Sequence, residues 1–220
     1  VLERYVPKIV DHDQRRAELA EAVWRVVLRV GVEGASVRAV AAEAGWSMGA
    51  LRYYFSTQDG LLEFAIDRMG QRIFDRVRGY YAGVSDGQAE GFERAVRTLC
   101  ELLPLDEERH GEVLVWMSFM TRARVSGGYD EARRNGWEGE RYLCRLAIAD
   151  TLSLRLPREI DQHFTDDALE LEAAELQVCI DGLSVQAVTY PEHWPADALE
   201  AAVRRALAGI RERYERRVRD

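Results

Sequence analysis

Long apolar runs, paired cysteines and catalytic signatures are what this 220-residue chain lacks. Its longest apolar stretch, VLVWM at 113–117, stops at Ser118, and AVWRVVLRV carries arginines, so nothing approaches the roughly 18–20 residues of a membrane-spanning helix. No basic-then-apolar leader precedes the first polar segment, and a cytoplasmic protein with no membrane partner is expected. Cysteine occurs only as Cys100, Cys144 and Cys179, an odd number at wide spacing within apolar helical pattern. These are expected to be reduced core thiols, which argues against a disulfide framework and a zinc site. Glycine and proline number only 17 and 5, and no low-complexity tract or fixed-period repeat occurs, which argues against a solenoid. His12, His110, His163 and His193 lie far apart, and there is no Cys-x-x-Cys, His-Glu-x-x-His, phosphate loop or nucleophile elbow. Neither catalysis nor a cofactor nor a metal is expected.

What is present is 47 % apolar residues, enough for a sizeable core, and a formal charge of −8 that is unevenly placed. Residues 1–60 balance, with Arg4, Lys8, Arg15, Arg16, Arg25, Arg29, Arg38 and Arg52 against as many acidic side chains, so the whole deficit lies in 61–220. An acidic body can carry a locally neutral, DNA-facing end, because exposed charges more than about 10 Å apart are largely screened at 0.1 M salt.

Almost every segment repeats at helical period and none shows sustained alternation, which predicts an all-α chain of about nine helices. The first begins near Asp13, carries Leu19, Val23, Val26, Val27 and Val30 on one stripe and stops at Gly31 and Gly34. Ser36 and Ser47 are expected to cap the second and third, and Ser56 or Thr57 the long fourth. The fifth to ninth are predicted over about 88–103, 107–125, 129–156, 165–189 and 196–218, punctuated by glycines and Pro104, Pro157, Pro191 and Pro195. Apolar residues run nearly all round the eighth, so it needs cover on more than one side: from its own bundle or from another chain.

The stretch VRAVAAEAGWSMGALRYYF, Val37 to Phe55, has Gly45 as a pivot between two short helices. Val40, Ala41, Ala44, Trp46, Leu51 and Tyr54 stand where a helix-turn-helix needs apolar or small residues, and Gly45 supplies a turn conformation that a Cβ makes costly. The outer face is then Ser47, Met48, Gly49, Arg52 and Tyr53, the side such a unit presents to a DNA major groove. Ser47 and the neighbouring amides can hold a phosphate, Arg52 can bind a phosphate or fork onto guanine, Tyr53 can reach the backbone, and Gly49 lets the helix lie close to base edges. A helical hairpin with a central glycine also occurs in proteins that bind no DNA.

Residues 13–66, with GVEGASVRAVAAEAGWSMGALRYYFSTQDGLLEFA, resemble the N-terminal domain of the TetR family of bacterial transcriptional regulators. Within it, YYFSTQDGLLE is similar to members grouped with the choline-responsive repressor of betaine synthesis. The resemblance implies three regions: a flexible arm at 1–12, a helix-turn-helix DNA-binding domain at 13–58, and an effector-binding and dimerisation domain at 59–220. It also implies that Ser36, Tyr53 and Thr57 touch operator phosphates, and Arg38, Tyr54 and Gln58 join the DNA-facing set. The chain departs from the family in having Arg52 where an aromatic is common and Gln58 where a lysine is, which moves a phosphate-binding charge. A homodimer built on the eighth and ninth helices is implied, with Ile180, Leu183, Ala187, Ala202, Ala206 and Ile210 as interface candidates.

The resemblance further implies a small-molecule effector enclosed by the fourth to eighth helices. Met69, Trp116, Met117, Phe119, Met120, Trp137 and Tyr142 are the apolar candidates for that pocket, though such a cluster is also ordinary core. Gln177 and Asp181, with Ser118 and Gln186, are polar residues in apolar stretches that could orient a ligand. An apolar or amphipathic effector that displaces a repressor from a palindromic operator is the expected mechanism. A helical lipid or ligand carrier, or a regulator with no small-molecule effector, are the alternatives.

Overall fold

The computed structural model describes residues 12–55, 57–82, 90–125 and 127–220, and these residues form helices and no strand. They are α1 (His12–Gly34), α2 (Val37–Ala44), α3 (Met48–Tyr54), α4 (Gln58–Tyr81), α5 (Gly91–Cys100), α6 (Glu107–Val125), α7 (Asp130–Thr151), α8 (Asp167–Thr189) and α9 (Ala196–Arg219). The all-α, nine-helix expectation therefore holds among the described residues. The predicted arm, with Arg4 and Lys8, lies outside them. The chain divides into two compact units, Val1–Ala65 and Ile66–Asp220.

In the first unit α1 buries Leu19, Val23, Val26 and Val27. Its helical run is interrupted at Gly31, whose φ of 72° is the left-handed conformation glycine adopts without a Cβ penalty, and Val30 just before it is half exposed rather than core. Arg25 and Arg29 both reach the carboxylate of Glu43, at 2.7 and 2.8 Å, and so tie α1 to α2. The two guanidiniums hold that carboxyl below its ordinary range.

In the second unit α5, α7, α8 and α9 close on a core that includes Leu99, Cys144, Ile148, Leu176, Ile180 and Leu207. Buried charge is paired: Arg94 meets Asp150 at 2.5 Å, and Tyr81 donates to the same carboxylate at 3.2 Å. Gly91 sits so close to Asp150 that an added Cβ would come within 2.5 Å of its carbonyl oxygen.

Three expectations are corrected. The seventh helix ends at Thr151, not near Leu156: Ser153 takes φ 54° and the amide of Leu154 folds back onto the carbonyl of Ala149 at 2.8 Å, a left-handed stop made without glycine. Cys179 is exposed on α8, whereas Cys100 and Cys144 are buried as expected. The candidate interface residues Ile180, Leu183, Ala187 and Ile210 are core of their own chain, with Ala202 and Ala206 packed against it. The outward side of α8 carries Leu171, Val178 and Val185 instead, 60 %, 70 % and 42 % exposed.

Candidate functional site

Two places in the fold bring chemistry together, one in each unit. In the first, Ser36 caps α2 by accepting from the amide of Ala39 at 3.2 Å, and Ser47 caps α3 by accepting from Ala50 at 3.1 Å. Thr57 does the same for α4 with Gly60, also at 3.1 Å. Each oxygen is thus committed to its own helix, while its O–H stays free to donate outward from an exposed residue. Gly45 joins α2 to α3 at φ 68°, and the amide of Trp46 returns to the carbonyl of Ala41 at 2.9 Å. That turn requires the left-handed conformation, and the small Ala41, buried with Val40 and Leu51, lets the two helices lie close.

The result is a short helix held from inside and open outside. Ser47, Met48, Gly49, Arg52 and Tyr53 are exposed on it, Tyr53 at 80 %, and Arg38 is exposed on α2. Tyr54 is half-buried between Trp46, at 5.6 Å between ring centroids, and the edge of Tyr53 at 5.3 Å. Phe55 closes the inner side against Phe64. Gln58 opens α4, but its side chain lies outside the described residues.

In the second unit a cavity of about 470 Å³ opens among α4, α6, α7 and α8. Met69, Trp116 and Asp181, three of the sequence candidates, line it together with Ile66, Phe74, Leu102, Val113 and Leu143. Two glycines on α7 make the room: an added Cβ on Gly136 would meet the Trp116 ring at 3.4 Å, and one on Gly139 the Phe74 ring at 3.3 Å. The other candidates sit elsewhere. Phe119 is fully buried core, stacked on Trp116 at 6.0 Å and edge-on to Tyr129. Met120 is 41 % exposed, and Met117 is half-buried outside the cavity lining. Trp137 lies under the guanidinium of Arg141 at 4.8 Å, and Gln177 is buried, accepting from Arg141 at 2.7 Å. Tyr142 donates to the carbonyl of Pro157 and lines a second cleft with Phe74 and Tyr81.

The cavity wall is apolar but carries five carboxyl groups, Asp67, Glu101, Glu112, Glu140 and Asp181, of which the sequence singled out only Asp181. Glu112 takes two hydrogen bonds from Arg76, at 2.9 and 2.6 Å, and Glu101 takes one from the same guanidinium at 2.5 Å. Tyr80 donates to Glu101 as well. Burial outweighs Arg76 at Glu112 and raises its carboxyl above the usual range. Glu140 and Asp181 both line the cavity, near enough for each to bear on the other's ionisation. Both carboxyls are raised, chiefly by burial, and Glu140 further by the negative charge of Asp181.

Residues 92–212 match the C-terminal domain of BetI-type transcriptional repressors, and residues 19–65 match the bacterial regulatory proteins of the tetR family. The chain is 36 % identical over 206 residues to the HTH-type transcriptional regulator PksA of Bacillus subtilis (strain 168), covering 93 % of this chain and 94 % of the relative. A transcriptional regulator from Rhodococcus sp. Rha1 superposes with a TM-score of 0.70 at 30 % identity, over 89 % of this chain and 95 % of that one. A Saccharomonospora viridis protein described as a transcriptional regulator in complex with choline shares the fold, at a TM-score of 0.68 and 24 % identity over 87 % and 94 % of the two chains.

Proposed function

The chain belongs to the TetR family of bacterial transcriptional regulators, and from that premise we propose that it is a repressor that grips a palindromic operator as a homodimer and lets go when a small effector fills the cavity of its second unit. Membership makes it a ligand-responsive regulator of transcription and not an enzyme. The observation that carries the finer reading is the outward set on α3. Ser47, Met48, Gly49, Arg52 and Tyr53 are exposed together on a helix whose opposite side is anchored by the buried Leu51. In a groove, Arg52 reads guanine or holds a phosphate, while Ser36, Tyr53 and Thr57 donate hydroxyls to the flanking backbone. In this reading residues 13–58 read DNA, and 59–220 bind the effector and pair the two chains.

Pairing is supported by the outer side of α8. Leu171, Val178 and Val185 are seven residues apart and stand within about 20° of one another per heptad, an apolar stripe left uncovered by the chain itself. The effector site is supported by a cavity of about 470 Å³, ordinary for a small ligand, with an apolar wall and a few polar groups that orient what enters. An apolar or amphipathic effector suits it, and a protein of the same fold holds choline. Coupling runs along α4, which begins at Gln58 and supplies Met69 and Phe74 to the cavity. An effector weakens operator binding only by its preference for the released form, and a typical coupling of about 1–3 kcal/mol gives roughly 5- to 150-fold. Among the described residues no helix is long and apolar enough to cross a membrane, and a regulator that reads the chromosome works in the cytoplasm.

The test is selection of fragments from a random DNA pool at about 0.15 M salt, followed by titration of the enriched sequence. A palindrome with half-sites spaced for a two-fold dimer is expected. Weak, sequence-blind binding with nothing enriched overturns the reading.

A further inference from the structure

We propose that Arg15, at the start of α1, grips a phosphate of the operator backbone, with Trp46 as the platform that holds its guanidinium ready. The inference rests on reading the chain as a DNA-binding homodimer, and it adds a backbone contact from α1, an element outside the DNA-facing set described above.

The pattern of α1 places the residue. Arg15 stands one helical turn before Leu19, so it projects from the side on which α1 buries Leu19 and Val23. An apolar residue at 15 would extend that buried stripe by a turn. An arginine instead carries its charge past the end of the stripe on a long apolar stem. What the charge meets is Trp46: the guanidinium carbon lies 5.5 Å from the ring centroid, and Arg15 stays exposed.

Trp46 sits where it can aim that charge. It follows the turn at Gly45 and directly precedes Ser47, the first of the outward residues. Its ring lies 5.6 Å from that of Tyr54, which meets the edge of the exposed Tyr53. Arg15, Trp46, Tyr54 and Tyr53 thus form a continuous row from α1 to the open face of α3. The ring face attracts the guanidinium but accepts none of its five N–H groups, so the whole fork is left for the oxygens of a phosphate. Holding a long side chain still before DNA arrives also lowers the entropy lost on contact.

The arginines of this unit divide by partner. Arg25 and Arg29 are both answered by Glu43 and serve the joint between α1 and α2. Arg15, Arg38 and Arg52 are exposed and have no carboxylate partner among the described residues. Arg38 and Arg52 already belong to the DNA-facing set. Arg15 is the third unanswered charge, and a polyanion is the partner that such charges beside an open α3 suit.

A purely structural role, in which Arg15 only covers the Trp46 ring, makes a different prediction. Arg15→Met keeps an unbranched apolar cover on that ring and removes the charge. The experiment titrates the palindrome enriched from the random pool with the full chain and with this variant, between 0.05 and 0.2 M salt. A dimer without Arg15 lacks two phosphate contacts, each contributing about 0.9 to the slope of log affinity against log salt. The native chain should therefore lose roughly tenfold more affinity than the variant across that fourfold range. The enriched sequence should stay the same, because a phosphate contact carries no base information. Arg15→Lys should restore most of the slope. In a Trp46→Leu background, where no ring holds the guanidinium, Arg15→Met should cost less affinity than it does beside the native tryptophan.

An unchanged slope overturns the proposal, whether or not affinity falls, and an equal cost in both backgrounds overturns the platform. If the palindrome binds and Arg15→Met leaves its affinity and slope as they were, this inference falls and the DNA-reading homodimer stands. If no sequence is enriched by the native chain, both fall together.

Discussion

Arg76 and Glu112 hold each other through two parallel hydrogen bonds, Nη1 to Oε1 at 2.9 Å and Nη2 to Oε2 at 2.6 Å, from α4 to α6. The same guanidinium donates through Nε to Glu101, so one side chain neutralises two carboxylates that are each almost fully buried. Removing a single partner from such a group leaves uncompensated charge in the interior. Arg76→Ala is therefore expected to cost roughly 3 kcal/mol in denaturant unfolding. Lowering the pH from 7 to 5 should shrink that deficit, because the orphaned Glu112, raised by burial, can then take up a proton. A deficit below about 0.5 kcal/mol would show that water reaches both groups.

Arg52 is exposed on α3 beside Tyr53. Arg52→Ala should weaken the selected operator by about 1–3 kcal/mol and relax the preference at one base position if the side chain forks onto guanine. If it grips a phosphate, all sequences should weaken alike and the slope of affinity against salt should flatten. An unchanged affinity removes Arg52 from the interface.

Gly45 offers a test of local geometry alone. An added Cβ would meet nothing within 4 Å, so Gly45→Ala probes only the left-handed backbone at φ 68°. A loss of about 1–2 kcal/mol is expected in the unfolding of the first unit, with operator affinity reduced in step. Unchanged stability would mean that the turn relaxes to another conformation.

The carboxyl of Glu140 is raised by burial and by Asp181, which sets the sign of a pH effect. A carboxyl raised in the folded state adds stability below its unfolded value and loses it as pH climbs through the folded one. Glu140→Gln should thus raise the melting temperature more at pH 8 than at pH 5, by the equivalent of on the order of 1 kcal/mol. The reverse ordering would contradict a carboxyl raised in the folded state.

Val178→Asp places a charge in the middle of the outward stripe of α8, where the valine is 70 % exposed in the single chain. Light scattering should report a dimer for the native chain and a monomer, folded by circular dichroism, for the variant. Operator affinity should fall by far more than for a single lost contact, since two linked heads bind with an effective concentration that one head lacks. A variant that remains dimeric assigns the pairing to another surface.

How much of this was legible from residues alone depended on range. The turn at Gly45, the caps at Ser36, Ser47 and Thr57 and the exposed face of α3 are local devices, and each is written within a few neighbouring residues. The cavity is not. Glu140 stands in a run with Glu138, and nothing in EGE says which of them turns inward, nor that its partner is Asp181, 41 positions further on. Methionines and aromatics of α6 looked alike as pocket candidates, yet Trp116 lines the cavity while Phe119 fills the core, a difference of one helical turn. The eighth helix was apolar nearly all round, and only packing against α5, α7 and α9 decided that Ile180 and Leu183 face in and Val178 faces out.

The width of the cavity is set by hydrogen atoms at two positions of α7, Gly136 and Gly139, where the Trp116 and Phe74 rings come in under what would be a methyl group. Glycine and alanine codons differ by one base. Alanine at 139 would press on the Phe74 ring at 3.3 Å, alanine at 136 would take up contact with the Trp116 ring at 3.4 Å, and either would strengthen α7 by up to about 1 kcal/mol. A lineage acquiring a smaller inducer thus has a short genetic route that costs its scaffold little and leaves the DNA-reading helix untouched, so the molecule can change what it hears without changing which genes it answers for.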